Sequence, residues 1–412
     1  MQEEEKTLLI AGGGLIGLAA SLLFSDRFRK VELFEKREDP ILTQGKEARS
    51  LQLVLSARGW NTLNLLGFED EIRAITLNLK GRYHHHPGSK IFEAYSPSGD
   101  TISCISRESL YRLLCAKARM NPKIRLHFQT EVSDADFMSS RIITESQISR
   151  RKEARQYDFL IGADGVRSKI AAELNPEGED FRKESNVYRE ISVSTDNWER
   201  DAFHYWHTET AMIGAFPVFE GGFSLFLVHR EDDSGRLLHD SGNPLFQTLF
   251  PEISSQVPGV REKFAQATGG ILGSKSSSCW HYGDNVALAG DAAHAVLPFM
   301  GQGLNTGLED LYILNRYLDR NGLIPEKKLS SYEDERRPQA DAIRLISQDQ
   351  FRYLTGQYGE NEYRMRTAIA ENLVAQGQLP TYSACAFSLE PFSSILEKEE
   401  VLRKELYSSD KS

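Results

Sequence analysis

The spacing of hydrophobic residues changes twice near the N-terminus of the chain. Residues 7–11 (TLLIA) are a short apolar run, which is typical of a buried parallel strand. The apolar segment from Leu15 to Phe24 contains small residues for close packing and predicts a helix, and Val31 to Glu35 predicts a second strand. The chain is therefore expected to open with a β-α-β unit.

Helical and sheet-like segments alternate along the rest of the chain. Helices are predicted at 56–66 and 108–118, and from Leu304 nearly to the C-terminus. Alternating and aromatic positions predict strands at 80–106, 124–129, 157–162, 185–230 and 279–289. The buried strand patterns within 7–35, 157–165 and 283–291 look like parts of one nucleotide-binding sheet. We therefore expect an α/β (α+β) fold with a discontinuous Rossmann-like domain and an inserted mixed β-sheet domain.

The length of the chain also predicts more than one domain, because 412 residues exceed what a single hydrophobic core organises well. The predicted boundaries assign 1–78, 105–180 and 279–330 to the Rossmann-like domain. They assign 79–104 and 181–278 to the inserted domain, and 331–412 to a C-terminal helical region.

Composition and charge narrow the functional classes. The net charge of −10 argues against a nucleic-acid surface, and no apolar run approaches the length that spans a bilayer. None of the four cysteines forms a CxxC pair, which favours a reducing, cytoplasmic compartment. The acidic N-terminus, MQEEEKTLLI, does not resemble a secretory signal. We expect a soluble monomer or homodimer.

The first candidate site is the pattern Gly12-x-Gly14-x-x-Gly17, between the predicted strand and helix. The first glycine allows a tight turn, the second lets the backbone approach a pyrophosphate, and the third lets helix and strand pack closely. Glu35 ends the next strand, where a carboxylate would meet a ribose hydroxyl. Together they predict dinucleotide binding; the alternative is a tight turn without a ligand.

Two further glycine motifs follow later strands. Asp164 and Gly165 end the apolar strand at 157–162, although an Asp-Gly turn alone would be unremarkable. The segment Gly290–Asp310 contains Asp291, a proline and a glycine-rich loop that runs into an apolar helix pattern. Backbone N–H groups at such a helix start suit an electron-rich or anionic ligand.

These three motifs, in this order, resemble those of the single-component (class A) flavoprotein aromatic hydroxylases over roughly residues 5–340. The resemblance implies FAD as the cofactor, with Asp291 on the ribityl chain and Leu304 and Asn305 at the flavin ring. It also implies NADPH or NADH as a transient co-substrate, since there is one dinucleotide fold. The cofactor-binding residues it implies are Gly12, Gly14, Ile16, Gly17, Phe34, Glu35, Lys36, Arg37, Arg49, Val54, Arg107, Val132, Asp164, Asp291, Gly303, Leu304 and Asn305.

A narrower resemblance, to the kynurenine 3-monooxygenases, rests on five segments. They are EARSLQLVLSxRG at 47–59, KGR at 80–82, SRESL at 106–110, PFMGQG at 298–303 and ERRPxAxAI at 335–343. In that family an arginine of the KGR segment and a later tyrosine bind the substrate carboxylate, which implies Arg82 and Tyr95 here. Phe299 and Met300 are expected between flavin and substrate. A guanidinium can grip a carboxylate bidentately, whereas without the family Arg82 would read as a surface arginine.

The sequence departs from that family in its C-terminal segment. The family supplies an asparagine and a second tyrosine there, and our register puts Gly356 and Phe392 at those positions. Either the register is shifted or the substrate differs. Three consecutive histidines, His84–His86, would alternate between the faces of a strand and so cannot all bind one metal ion. His294 is expected to be structural rather than a base.

The resemblance implies an NAD(P)H-driven monooxygenase that inserts oxygen from O₂ into an aromatic substrate through a flavin C4a-hydroperoxide. L-Kynurenine, giving 3-hydroxykynurenine, is the expected substrate, and no catalytic acid–base residue is required. The alternatives are a hydroxylase of another aromatic acid resembling salicylate or hydroxybenzoate, a flavin-dependent dehydrogenase or oxidase, and a flavoprotein that serves only in binding or redox sensing. The aromatic residues Tyr205, Trp206, Phe216, Phe226 and Phe299 could line the pocket, but such residues are more often core.

Overall fold

The computed structural model describes residues 6–42, 52–86, 88–96, 98–178, 180–240, 244–318 and 328–409. The strands of this part of the chain form four sheets. In chain order they are β1 (Thr7–Ala11), β2 (Lys30–Phe34), β3 (Gln52–Leu55), β4 (Thr76–Leu79), β5 (Gly81–His86), β6 (Ser89–Ala94), β7 (Ile102–Ser106), β8 (Ile124–His127), β9 (Thr130–Asp136), β10 (Arg141–Ser146), β11 (Lys152–Gln156), β12 (Phe159–Gly162), β13 (Asp180–Val193), β14 (Ala202–His207), β15 (Ala211–Pro217), β16 (Phe223–Arg230), β17 (Gly270–Ser276), β18 (His281–Tyr282), β19 (Val286–Leu288) and β20 (His294–Ala295).

The α-helices cover the sheets and form the C-terminal region. Short 3₁₀ turns lie at Gly290–Ala292, between β19 and β20, and at Pro298–Met300, between β20 and the C-terminal helices. The helices are α1 (Leu15–Phe24), α2 (Ala57–Leu63), α3 (Glu69–Arg73), α4 (Arg107–Met120), α5 (Lys169–Leu174), α6 (Leu245–Leu249), α7 (Pro251–Gln256), α8 (Val260–Gln266), α9 (Gly303–Tyr317), α10 (Lys328–Leu354), α11 (Glu360–Ala375), α12 (Thr381–Phe387) and α13 (Phe392–Ser409).

The first sheet has the order β18-β19-β12-β1-β2-β8 and is parallel except for the β18–β19 pair. Its central strands are apolar throughout because both faces are covered, as in other doubly wound sheets. The register pairs Ala11 with Gly162, and Gly162 with Leu288. The carboxyl ends of β1, β12 and β19 are therefore level, and the three glycine motifs leave the sheet at one edge.

The second large sheet has the order β20-β17-β13-β16-β15-β14-β5-β6. Side chains alternate between its two faces. One face packs on α6, α7 and α8 around Trp206 and Phe264. The opposite face carries Tyr205 and meets the segment at Leu297 and helix α10 at Phe351. This second face is therefore turned towards the edge of the first sheet where the motifs meet.

The C-terminal helices close over that junction. Helix α12 is tied to the end of β6, because the Ser383 hydroxyl donates to the Tyr95 carbonyl oxygen at 2.7 Å. Helices α10, α12 and α13 share a buried cluster with the loop at 298–303 through Met300, Ile343 and Phe392. This loop is called the flavin-side loop below, because the sequence predicts a flavin beside it. Across the described ranges, no helix combines the length and apolarity that a membrane-spanning segment needs.

Several predicted elements match closely and others need correction. The predicted helix from Leu15 to Phe24 has those bounds. The strand predicted at 279–289 is instead two strands, β18 and β19, separated by a turn at Gly283 with φ +52°. The three-stranded sheet β9–β11 and helices α6–α8 had no specific prediction. The domain boundaries stay a prediction.

Candidate active site

Each glycine of the first motif has a different structural role in the turn after β1. Gly12 has φ +98°, and a Cβ atom there would lie 2.4 Å from the Ala163 carbonyl oxygen of the second motif. A Cβ on Gly17 would lie 1.9 Å from the Gly12 carbonyl oxygen. Helix α1 can therefore pack this closely against the turn only with glycine at position 17. Gly14 faces open space and caps α1 without a side-chain hydrogen bond. Its surroundings leave room for an anion against the free N–H groups of the helix.

Ile16 joins the first motif to the third. Its side chain would lie 3.0 Å from a Cβ on Gly290 and 2.8 Å from one on Gly307. Both positions must therefore be small for α1, the turn after β19 and helix α9 to meet. Three segments that are far apart in the sequence therefore pack together at the edge of the first sheet.

Glu35 is buried beneath the first turn. Its carboxylate accepts from the Gly13 N–H at 2.9 Å and from the Arg37 N–H at 2.9 Å. Each oxygen has one protein donor in these bonds and retains a second acceptor site. The position thus fits the predicted ribose contact, and it also holds the glycine turn in place.

Asp291 lies in the turn after β19, where the first and third motifs meet. The residue is solvent-accessible, yet desolvation raises the pKa of its carboxyl group, against the opposing charges of His294 and Arg107. Asp164 behaves similarly at the neighbouring motif. Its Oδ2 accepts from the Lys169 N–H at 2.6 Å, while its buried Oδ1 has no partner in the protein. Acceptors in such a setting suit the hydroxyl groups of a bound ligand.

Helix α9 packs against the turn that carries Asp291, and its first turn presents backbone donors. No side chain caps this helix, so the N–H groups of its first turn, at Gly303, Leu304 and Asn305, lack intrahelical partners. The Asn305 side chain cannot serve the ligand, because it accepts from the Ser56 N–H and donates to the carbonyls of Val54 and Gly301. Only the backbone of Asn305 can therefore take the role predicted for this residue at the flavin ring.

A buried ion-pair network supports this loop, and our sequence reasoning missed it. Asp310 is fully buried and accepts from the Gly290 N–H at 2.8 Å, His294 Nε2 at 2.7 Å and Arg336 Nε at 2.8 Å. Burial opposes ionisation of Asp310, but the charges of His294 and Arg336 prevail and lower its pKa. The second Arg336 contact is to Glu309, at 2.7 Å. In the sequence, only the family resemblance of the ERRP segment points to Arg336. The geometry agrees with the structural role expected for His294.

The remaining predicted cofactor residues take varied positions. The Phe34 ring is buried and stacks on His127 at 4.8 Å, so only its backbone can reach a ligand. Val132 is buried in the main core. Lys36, Arg37 and Arg107 are exposed, and Arg107 is near enough to Asp291 to lower its pKa. Val54 lies against Gly301, where a Cβ would be 2.2 Å from Val54 Cγ2. Arg49 lies outside the described residues.

The predicted substrate residues Arg82 and Tyr95 are close together on β5 and just beyond β6. The Arg82 guanidinium lies 5.5 Å from the Tyr95 ring centroid and 4.5 Å from that of Tyr382 on α12. The two phenol rings stack at 5.6 Å. Burial raises the pKa of both tyrosines, which keeps their hydroxyl groups protonated and able to donate. An arginine beside two phenols can hold a carboxylate.

Tyr382 is the C-terminal tyrosine that lies beside Arg82 among the described residues. Phe392, where we expected the second tyrosine, is fully buried and lies under the Arg58 guanidinium at 3.9 Å. Gly356 has φ +69° in the turn after α10, beside the carbonyl oxygen of Thr208. Neither of these two residues contacts Arg82, and the tyrosine beside Arg82 lies ten positions earlier than predicted.

Aromatic side chains line the sheet face next to Arg82. Phe203, Phe216 and Phe226 pack together, with the Phe203 and Phe216 ring centroids 4.3 Å apart. Tyr205 lies on this face, and Phe299 packs there against Phe351 at 5.0 Å. The face therefore offers a flat, apolar wall between Arg82 and the flavin-side loop.

Two residues of the predicted set point elsewhere. Met300 is buried among the C-terminal helices with Ile343 and Phe392. Trp206 lies on the opposite face of the sheet, in the cluster with Phe264. Because Trp206 belongs to that core cluster, it does not line the pocket.

The three histidines separate as the alternation of a strand requires. His84 is bonded to Tyr205 and Glu93, whereas His85 contacts Glu252 and His204 on the other face. Within the described ranges, one different group, Cys279, His281 and Glu333, has the spacing of metal ligands. Glu333 already accepts from the Trp280 N–H at 2.9 Å and pairs with Arg337, so the protein itself satisfies this group.

The comparisons with known proteins agree with this geometry. A family model described as an FAD binding domain matches residues 5–345. A kynurenine 3-monooxygenase of Legionella pneumophila (strain Lens) is 31% identical over 90% of this chain and 85% of its own length. The kynurenine 3-monooxygenase of Christiangramia forsetii is 29% identical over 96% and 92%.

Solved structures support the fold. The tetrameric form of 2-methyl-3-hydroxypyridine-5-carboxylic acid oxygenase superimposes with a TM-score of 0.71 at 22% identity, over 86% of this chain and 93% of that one. The cradle of Gly14, Asp164, Asp291 and the α9 N-terminus fits FAD, whose pyrophosphate and hydroxyl groups need such donors and acceptors. The chain therefore belongs to the FAD-dependent monooxygenases, in the family of the kynurenine 3-monooxygenases.

Proposed function

We propose that this enzyme hydroxylates the aromatic ring of L-kynurenine at the carbon beside the amino group, consuming O₂ and NADPH and releasing water and NADP⁺. Bound FAD supplies the oxygen-activating chemistry. The task of the protein is to bind the substrate, orient its ring and keep water away. The observation that carries the proposal is the pair of tyrosines around Arg82, next to an aromatic wall that runs to the flavin-side loop.

The charges and burial of the site support a role for Arg82 as the carboxylate anchor. Its side chain is only 11% exposed. Desolvation opposes its charge, but the Glu93 carboxylate outweighs this and raises the pKa of Arg82. A permanent cation in a poorly solvated position binds an anion more strongly than a surface arginine does. Tyr95 and Tyr382 would add hydroxyl donors to the same carboxylate.

Each residue of the FAD cradle would bind a different part of the cofactor. Gly14 and the start of α1 suit the pyrophosphate, Glu35 suits a ribose hydroxyl, and Asp291 suits the ribityl chain. The first turn of α9 would direct its N–H groups at the flavin ring. No side chain of the described site is needed as a base, because the aniline nitrogen of kynurenine itself activates the adjacent carbon.

Turnover with labelled oxygen tests the proposal. Purified enzyme with NADPH, ¹⁸O₂ and L-kynurenine should yield 3-hydroxykynurenine that carries one labelled oxygen atom. An oxidised product without the label would instead support a dehydrogenase or oxidase. Hydroxylation of salicylate or 4-hydroxybenzoate, with kynurenine untouched, would assign the enzyme to another aromatic acid. NADH in place of NADPH, run in parallel, establishes which nicotinamide is preferred.

The quaternary structure and location are separate proposals. We infer a monomer or homodimer in the cytoplasm, on the basis of the ordinary soluble composition and the unpaired cysteines. Light scattering coupled to size exclusion measures the first directly. A mass of four chains, as in the tetrameric oxygenase of similar fold, would contradict it.

A further inference from the structure

Glu93 lies directly opposite Arg82 in the β5–β6 ladder. Facing residues in an antiparallel pair project from the same side of the sheet, so both side chains lie on the face that carries Phe203. Arg82 Nε is 3.2 Å from Glu93 Oε2, and Arg82 Nη2 is 3.5 Å from Oε1. The anchor for the substrate carboxylate therefore already has a carboxylate of the protein beside it.

The Glu93 carboxylate is ionised. Desolvation would raise its pKa, but the hydrogen bond from His84, at 2.6 Å, and the charge of Arg82 outweigh it and lower the pKa. Arg366 on α11 contributes in the same direction from farther away. Arg366 itself is engaged by Asp349 at 3.0 Å and by Gln350.

Glu93 is also the accessible member of its pair. Its side chain is 51% exposed, against 11% for Arg82. His84 and Arg82 Nε both lie at Oε2, which leaves Oε1 with the long contact to Arg82 Nη2. A carboxylate oxygen accepts two hydrogen bonds, so Oε1 has room for a further donor.

The net charge of the site then distinguishes aromatic acids from amino acids as substrates. The charges of Arg82 and Glu93 sum to zero. A simple aromatic acid would add a second negative charge beside Glu93, and the two like charges would repel each other. A zwitterionic amino acid keeps the sum at zero, because its carboxylate can meet Arg82 while its ammonium group meets Glu93.

We propose that Glu93 accepts the α-ammonium group of the substrate and thereby selects free α-amino acids over aromatic acids that lack the amine. This inference rests on the proposed function and names the feature of the substrate that the site reads. Glu93 would be a specificity-determining residue that does not take part in oxygen transfer.

Two substrates that differ only in the amine test the inference. L-Kynurenine and its deamino analogue, 3-(2-aminobenzoyl)propanoate, share the ring, the ketone and the carboxylate. Wild-type enzyme should prefer kynurenine in kcat/KM. In Glu93→Gln this preference should fall at least about tenfold, because a charge-assisted hydrogen bond to the ammonium is lost. Glu231→Gln, which alters an exposed acid paired with Lys183, should keep the wild-type preference.

Equal loss for both compounds in Glu93→Gln would overturn the inference, since Glu93 would then serve only to hold Arg82. The same comparison is made as binding constants, from titrations followed by flavin absorbance. A wild-type protein that binds both compounds but hydroxylates neither overturns the proposed function and leaves the test of Glu93 intact. A wild-type protein that binds neither overturns both.

Discussion

Arg82 shows how the meaning of one residue depends on its surroundings. From the sequence alone it would be an exposed arginine on a strand, but it lies beside two stacked phenols and is 11% exposed. Burial among aromatic rings strengthens its interaction with a carboxylate and leaves few alternative partners. Substrate capture should therefore depend on this side chain more than on any exposed arginine.

Arg82→Ala should raise the KM for L-kynurenine by about 10- to 100-fold, the loss expected for a hydrogen-bonded charge. The FAD content should not change, because Arg82 contacts none of the cofactor residues described above. Arg82→Lys should recover only part of the affinity, since an ammonium group lacks the planar fork of arginine. Arg141→Ala, at an exposed position on β10, serves as the control. Loss of bound FAD from Arg82→Ala would move this residue out of the substrate site.

Asp291→Ala should show the opposite pattern. The proposed ribityl contact predicts that removal of this carboxylate weakens FAD binding by about tenfold. FAD per chain after gel filtration, and the Kd from fluorescence titration, measure this directly. Asp136→Ala, at an exposed acid of β9, should retain FAD fully. Full flavin occupancy in Asp291→Ala would argue against the ribityl contact.

At the scale of elements, the loop from Leu297 to the start of α9 is shaped by close contacts with β3. Gly301 has φ +63°, and Val54 leaves no space for a side chain there. The Asn305 side chain then bonds to both the loop and the strand. The conformation of the loop is thus determined before any ligand arrives.

Gly301→Ala should destabilise the protein by about 2–4 kcal/mol, from backbone strain and the clash with Val54. It should also weaken FAD binding, because the start of α9 would shift. Gly377→Ala is the matched control: that glycine has φ +71° but no atom within 4 Å of a new Cβ. Thermal unfolding of both variants separates the strain from the clash. Equal effects of the two substitutions would show that contact with β3 is unimportant.

The sequence predicted the elements whose function depends on local patterns. The turn at Gly12–Gly17, helix α1 and the Asp291 loop follow from glycine spacing and apolar runs. Tyr382 and Glu93 could not be found in that way. Glu93 faces Arg82 only through the β5–β6 register, and Tyr382 reaches it from a helix about 300 residues later. The orientation of Met300 depends on a 3₁₀ turn whose inner face no periodicity predicts.

At the scale of the whole molecule, Asp310 connects the sheet edge to the long helix α10. Its carboxylate holds the backbone of Gly290, the ring of His294 and the guanidinium of Arg336. A buried ion pair of this kind contributes little net stability when intact, but removing one partner leaves a buried charge without compensation.

Asp310→Asn should lower the free energy of unfolding by about 3–5 kcal/mol at neutral pH. Asp341→Asn, which alters an exposed partner of Arg344, should change it by less than about 1 kcal/mol. Urea unfolding followed by tryptophan fluorescence gives both values. A small effect at Asp310 would mean that Glu309 alone compensates the buried charge of Arg336.

Stability should also fall in acid. The pKa of Asp310 is lowered in the folded state, and the bond from His127 helps to lower that of Glu32 to about 2. A carboxyl group with a lowered folded pKa stabilises the protein above its unfolded pKa, near 4, and loses that contribution as the pH falls towards 2. Urea midpoints should therefore decrease from pH 5 downwards, and less steeply in Glu32→Gln. An unchanged slope in that variant would contradict a role for Glu32.

The contact of Ile16 with both Gly290 and Gly307 has a consequence for protein engineering. If the 290–310 loop of another flavin hydroxylase replaced the native loop, its side chains would contact Ile16, which lies outside the exchanged segment. A chimera that exchanges 290–310 alone inherits this mismatch, whereas one that exchanges residue 16 with it keeps the complementary surfaces together. The unit that can be recombined is thus a three-part contact and not a continuous stretch of chain.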